Sequence, residues 1–114
     1  MLAAGARLRR GEDFRLVMRR GAKAGTRTAV VYLVKTGDAH SMTGFAVSRA
    51  VGGAVVRNRV TRRLRAIMAD ALPGLPAGSR VVIRALPNAA SANYDALKTD
   101  ISDGLRRTLA KATA

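Results

Sequence analysis

Apolar residues recur at helical spacing in three segments of the chain and as β-branched runs in three others. Phe14, Val17 and Met18 stand at i, i+3, i+4 and predict a first helix. Glu12 and Asp13 fall in its first turn, Arg19 and Arg20 in its last, and Gly21 follows, so the charges oppose the helix dipole and the glycine is expected to supply a left-handed terminus. Residues 28–34 form a β-branched apolar strand in which Val30, Tyr32 and Val34 share one face and Ala29, Val31 and Leu33 the other. Both faces are apolar, so both are expected to be covered. Residues 35–41 read as a polar turn and residues 43–49 as a second strand, which makes a hairpin the economical pairing.

Gly52 and Gly53 break the chain before a long helix from about Val55 to Leu72, stopped by Pro73 and Gly74. Its apolar face is Val56, Val60, Leu64, Ile67, Met68, Ala71 and Leu72, with Asn58, Arg59, Arg62 and Arg65 opposite. Arg63 lies at the edge of the apolar face, and Arg57 lies within it but in the first turn, where a long stem can cross the core and present its charge outward. Residues 80–86 form a strand ended by Pro87, and a last helix from about Tyr94 places Leu97, Ile101, Leu105 and Leu109 at i, i+4 steps. Gly104 weakens that helix by roughly 1 kcal/mol relative to alanine, a cost that packing can offset. The pattern predicts one α+β domain over residues 1–114, a two-layer sandwich. A small, mostly antiparallel sheet is packed by helices in the order α-β-β-(β)-α-β-α, and residues 1–10 are a flexible basic arm.

Charge changes the picture most. Lys and Arg number 21 against 7 Asp and Glu, a formal charge of +14, which calls for a polyanion. No acidic residue lies between Asp38 and Asp70, yet that stretch holds Arg49, Arg57, Arg59, Arg62, Arg63 and Arg65. Six unneutralised arginines repel one another unless an anion is present. The guanidinium fork suits phosphate better than an ammonium does, so nucleic acid is favoured, although a high-GC genome also enriches arginine. Absence of cysteine removes disulfides, thiolate catalysis and cysteine-ligated metal sites. Residues 1–10 lack an apolar stretch of signal-peptide length and no run is long enough to span a bilayer, so a soluble cytoplasmic protein is expected. His40, the one histidine, falls in a turn and reads as an exposed loop residue. Glu12 and Asp13, the only adjacent acidic pair, are explained by the helix dipole. No catalytic set emerges.

The most specific feature is the run VSRAVGGAVVRNRVTRRLR at residues 47–65, a strand, a glycine turn and an Arg-Asn-Arg helix in that order. With RLRRGEDFRLVMRRG at residues 7–21 and the strand through Val81, Val82 and Ile83, it resembles the bacterial ribonuclease P protein family over nearly the whole chain. The resemblance implies the ribosomal protein S5 domain 2-like fold and a subunit of ribonuclease P, an endoribonuclease that works as a ribonucleoprotein. In that family catalysis belongs to the RNA, whose Mg2+ ions activate water to remove the 5′ leader of precursor tRNA. The implied partners are ribonuclease P RNA and precursor tRNA, with no membrane and no small-molecule substrate. Arg49, Arg57, Asn58, Arg59, Arg62, Arg63 and Arg65 are implied to contact the RNA subunit. Phe14, Met18 and Tyr32 match positions that hold the 5′ leader, where ring stacking tolerates any base. Met18 departs from the aromatic pattern, Ala50 and Thr61 stand where basic residues are common, and Phe14 fits core packing as well as leader contact. Two other classes remain open on composition: a ribosomal-protein-like RNA binder, and a helix-turn-helix DNA regulator, which the strands flanking the basic helix disfavour.

Overall fold

A computed structural model of the chain describes residue 2 and residues 4–113. Three helices, α1 (Gly11–Arg20), α2 (Ala54–Ala71) and α3 (Tyr94–Thr113), pack on a four-stranded sheet of β1 (Ala22–Gly25), β2 (Ala29–Lys35), β3 (Met42–Ala46) and β4 (Ser79–Ala85). The sheet order is β1-β2-β4-β3, with β3 and β4 parallel and the other pairs antiparallel. The α+β class and the mostly antiparallel sheet agree with the hydrophobic pattern; three strands do precede α2, but the additional one, β1, comes before the two read from the sequence rather than after them. Its sequence, Ala-Lys-Ala-Gly, has little strand propensity, and pairing with β2 imposes the conformation.

The hairpin expected between β2 and β3 does not form, because β4 lies between them and pairs with both. Val81, Val82 and Ile83 are each 0% exposed, so the middle of this strand is covered on both faces, with Arg80 and Arg84 flanking Val82 on one of them, and the strand takes the centre of the sheet. The loop from Thr36 to Ser41 turns its polar groups onto the entry to β4: the Thr36 amide donates to the Gly78 carbonyl (2.8 Å), the Ser79 amide donates to Ser41 Oγ (3.1 Å), and Arg80 pairs with Asp38. His40 is exposed in that loop. The strand expected to run to Arg49 ends at Ala46, and Arg49 sits in the turn that follows.

Alternation along β2 and β4 builds two cores. Ala29, Val31, Leu33, Val81, Ile83 and Ala85 face α2 and α3, meeting Val60, Leu64, Ile67, Met68, Leu97, Ile101 and Leu105. Val30, Tyr32 and Val82 face the other way, toward Leu8 and Val17 of the α1 side. The sheet is therefore covered on both faces, and α1 adds a partial third layer to the expected two. Each of Val60, Leu64, Ile67 and Met68 is fully buried, worth about 1.5–3 kcal/mol apiece, which outweighs like-charge repulsion of about 0.2–0.5 kcal/mol per arginine pair on the opposite face of α2.

Two local expectations are corrected. Gly21 is extended (φ −73°, ψ 156°) rather than left-handed. It is needed for space, since a Cβ there would lie 2.5 Å from the Val17 carbonyl oxygen and 3.0 Å from that of Leu33. The arm at residues 1–10 is packed where it is described. Leu2 and Leu8 are buried, Ala4–Ala6 form a 3₁₀ turn, and the Leu8 amide donates to the Thr43 carbonyl (2.9 Å), so the segment covers the free edge of β3. Met1 and Ala3 lie outside the described residues. Two buried leucines among arginines explain the difference: their transfer from water outweighs the freedom of the chain.

Gly104 of α3 faces Val31, whose Cγ2 would be 2.4 Å from an added Cβ. Gly104→Ala should therefore destabilise the protein by up to about 2 kcal/mol in urea unfolding, since overpacking of about 1–3 kcal/mol is set against a propensity gain of about 1 kcal/mol. A more stable variant would show that α3 can shift away from β2.

Candidate nucleic-acid interface

The crossover from β3 to β4 runs through α2, so the apolar stripe of that helix is pinned to the sheet and its other side points outward. Arg49, Asn58, Arg62 and Arg65 are exposed, and Arg57, Arg59 and Arg63 are half-buried. None of the six arginines forms an ion pair with a described residue; the ion pairs lie elsewhere, at Arg10–Glu12, Arg80–Asp38 and Asp103 with Arg106 and Arg107. The Asp103 carboxyl is held below its ordinary range, first by the hydrogen bond from Arg106 and then by that from Arg107, on the exposed side of α3. The positive charge of α2 thus has no internal counterion.

The start of α2 adds to this field. Its first turn holds no acidic residue, and Gly53 offers no side-chain cap, so the positive end of the dipole coincides with Arg57 and Arg59. That arrangement is unfavourable for an isolated helix and favourable beside phosphate. Within the cluster the arginines differ. Arg59 Nη2 donates to the Ala90 carbonyl (2.9 Å) and Arg63 Nη1 donates to the Ala92 carbonyl (3.0 Å), whereas Arg62 and Arg65 make no such bond. The Nε atoms of Arg57 and Arg59 are enclosed without a partner among the described residues. Thr61, at a position where a basic residue was looked for, donates its hydroxyl to the Arg57 carbonyl (2.8 Å).

Arg7 joins this surface, which the sequence alone did not reveal. Pairing of its segment with β3 sets it beside Arg62 and Arg65 on a groove of about 410 Å³. A smaller cavity of about 130 Å³ lies between α1, β3 and α2, lined by Arg7, Phe14, Thr43, Thr61 and Arg65. Arg7 Nε and Thr43 Oγ1 are both enclosed without a described partner, and both residues line this cavity. The available signal was Leu8 between Arg7 and Arg9, an alternation that suits a strand edge as well as an arm.

Phe14, Met18 and Tyr32 do come together, in the cluster that α1 forms with the sheet. Phe14 and Met18 are half-buried, while Tyr32 is 5% exposed and forms the floor, with Lys23 Nζ 5.8 Å from its ring centroid. As placed, Tyr32 is not an open stacking platform. The Phe14 ring lies directly on β3, so close that a Cβ at Gly44 would be 2.4 Å from its Cζ. Beside α1 a cleft of about 280 Å³ is walled by Leu16, Val34, Met42, Asp13, Asp38 and Arg80, with Leu16 41% exposed. Its apolar walls suit bases, and its two carboxylates oppose phosphate.

The chain matches the family model described as Ribonuclease P over residues 2–109. It is 47% identical over 123 residues to the ribonuclease P protein component of Streptomyces bikiniensis, with 99% of each chain covered, and 48% identical over 110 residues to that of Acidothermus cellulolyticus, covering 94% of this chain and 91% of the relative. Its fold is similar to that of the RNase P protein from Thermotoga maritima (TM-score 0.78, 26% identity, 89% of this chain and 96% of that one). The Staphylococcus aureus RNase P protein shares the fold as well, with a TM-score of 0.79 at 22% identity, over 89% of this chain and 93% of that one. An unpaired arginine face on a β3-α2-β4 crossover, in a chain alike from end to end, places this protein in the ribonuclease P protein family.

Proposed function

We propose that this chain is the protein subunit of ribonuclease P, binding the catalytic RNA and the 5′ leader of precursor tRNA and so assisting endonucleolytic removal of the leader. The observation that carries this reading is the outward face of α2, where Arg62 and Arg65, with Arg7 beside them and Arg49 exposed in the turn before the helix, form no ion pair with a described residue. Guanidinium groups one turn apart on a rigid helix follow a folded phosphate backbone, and Asn58 offers a neutral donor and acceptor to a base edge or a 2′-hydroxyl. Arg57, Arg59 and Arg63 complete the RNA-subunit surface from half-buried positions.

The leader would run along α1, over Phe14 and Met18, with Tyr32 as the underlying support. Bases would stack on these two half-buried side chains. In this reading catalysis rests with the RNA subunit, which also holds the Mg2+ ions that activate water. Among the described residues no group of three or more His, Asp or Glu side chains comes together to hold a metal ion. The protein's own contribution is binding energy, leader placement and neutralisation of phosphate charge. The assembly would work in the cytoplasm, and no helix among the described residues is long and apolar enough to cross a membrane. A helix-turn-helix role is not favoured, because β3 and β4 flank the basic helix where a partner helix would be required.

Two measurements test the proposal. Adding the purified protein to its cognate ribonuclease P RNA should lower the Mg2+ concentration needed to cleave precursor tRNA, and an unchanged Mg2+ requirement would refute the assignment. Arg62→Ala with Arg65→Ala should weaken binding to that RNA and reduce the slope of log affinity against log salt by about 0.7–0.9 per lost phosphate contact. An unaltered slope would mean that another face meets the backbone.

A further inference from the structure

Two of the six arginines in the basic stretch spend guanidinium hydrogen bonds on one backbone segment. Arg59 and Arg63 are successive turns of one α2 face, and they bond the carbonyls of Ala90 and Ala92 in the connection between β4 and α3. This connection is a 3₁₀ turn, Pro87–Ala90, continued by residues 91–93. Ala89 is 0% exposed and fixes its inner side. Its outer side presents Asn88, Ser91 and Asn93, all exposed and neutral. Asn93 Oδ1 accepts from the Ala96 amide (2.8 Å) at the start of α3, and Ser91 Oγ donates to the Asn88 carbonyl at a long 3.4 Å, which leaves the Asn88 amide oxygen and the weakly held Ser91 hydroxyl as the groups offered outward. The loop is therefore held beside the exposed arginines of α2 by two charge-assisted hydrogen bonds.

Beyond the loop lies a polar groove of about 230 Å³, lined by Arg27, Thr28, Asn88, Ser91 and Asp100. Asn88 uses its Nδ2 to donate to the Arg27 carbonyl (3.3 Å), which turns Arg27 and the loop into one wall. Asp100 accepts from the Thr28 amide (3.2 Å) and the Thr28 hydroxyl (2.7 Å), so a carboxylate sits at the base of the groove. A carboxylate there repels phosphate and accepts from hydroxyl or amino groups, which are what ribose and base edges offer.

We propose that the 88–93 loop and this groove are a second RNA-contacting element that reads uncharged sugar and base groups, through Asn88, Ser91 and the Asp100 carboxylate, with Arg59 and Arg63 as positioning residues that hold it beside the α2 face. The inference rests on the RNA-subunit reading above and refines it for two residues: Arg62 and Arg65 meet phosphate, while Arg59 and Arg63 serve that surface by holding the loop rather than by touching the RNA.

The test is a salt series of dissociation constants for the cognate ribonuclease P RNA with the full chain. Asn88→Ala and Ser91→Ala should each weaken binding about three- to tenfold at every salt concentration, the size of one lost neutral hydrogen bond, with the salt slope unchanged. Arg59→Ala should act in the same way, whereas Arg62→Ala should lower the slope. In the unsubstituted protein, backbone amides of residues 88–92 should gain hydrogen-exchange protection when the RNA binds, a readout that does not depend on any variant folding. Unchanged affinity in both loop variants, or no added protection at residues 88–92, would overturn the inference while a lowered slope in Arg62→Ala left the proposed function standing. A lowered slope in Arg59→Ala would make that residue a phosphate contact and overturn the positioning role. Unchanged binding in Arg62→Ala as well would remove the RNA face itself.

Discussion

Burial of β4 on both faces is the constraint from which the arrangement follows. A strand whose three central side chains, Val81, Val82 and Ile83, are all fully buried needs apolar cover above and below them. Val81 and Ile83 take theirs from α2 and α3, and Val82 takes its own from the α1 side. Because β4 must lie centrally, β2 and β3 are separated, and the chain passes from β3 to the parallel β4 through α2. The helix with the densest positive charge is thereby fixed across the sheet with its arginines turned away from it.

The charge is tolerated because its costs are small beside the apolar gain. Each arginine pair on α2 costs a few tenths of a kcal/mol in water, and screening by salt lowers that further. Four fully buried side chains on the same helix supply several kcal/mol in the other direction. The free protein is thus left with an electrostatic deficit at one surface and no counterion within reach. In the proposed function a phosphate backbone would relieve it, with release of counterions from the RNA. Stability is concentrated in one stripe of the helix and positive charge in the other.

The second surface obeys a different rule. Where α1 meets the sheet, Phe14, Met18 and Tyr32 are already in contact with the protein, so whatever they gain from a base must come on top of packing they already have. Gly44 permits the closest of these contacts by letting the Phe14 ring rest on bare backbone. The placement of these three side chains is consequently set by core formation, in contrast with the arginine face.

The sequence by itself determined the elements and the charge. Period-3.6 spacing marked α1, α2 and α3, β-branched runs marked β2 and β4, and the wheel of α2 separated Val60 and Leu64 from Arg62 and Arg65, because these are properties of residues near one another in the chain. Only the tertiary structure decided what depends on distant partners. The 36–41 loop meets the start of β4 rather than closing a hairpin, and β1 is a strand only because β2 is beside it. Leu2 and Leu8 find the core, which brings Arg7 to α2. Gly21 is required by the nearness of Leu33, not by its own dihedral angles. Arg59 and Arg65 look alike on a helical wheel, yet one is tied to a carbonyl 31 residues away and the other is not. Local pattern fixes which face a side chain is on, and long-range packing fixes what stands opposite it.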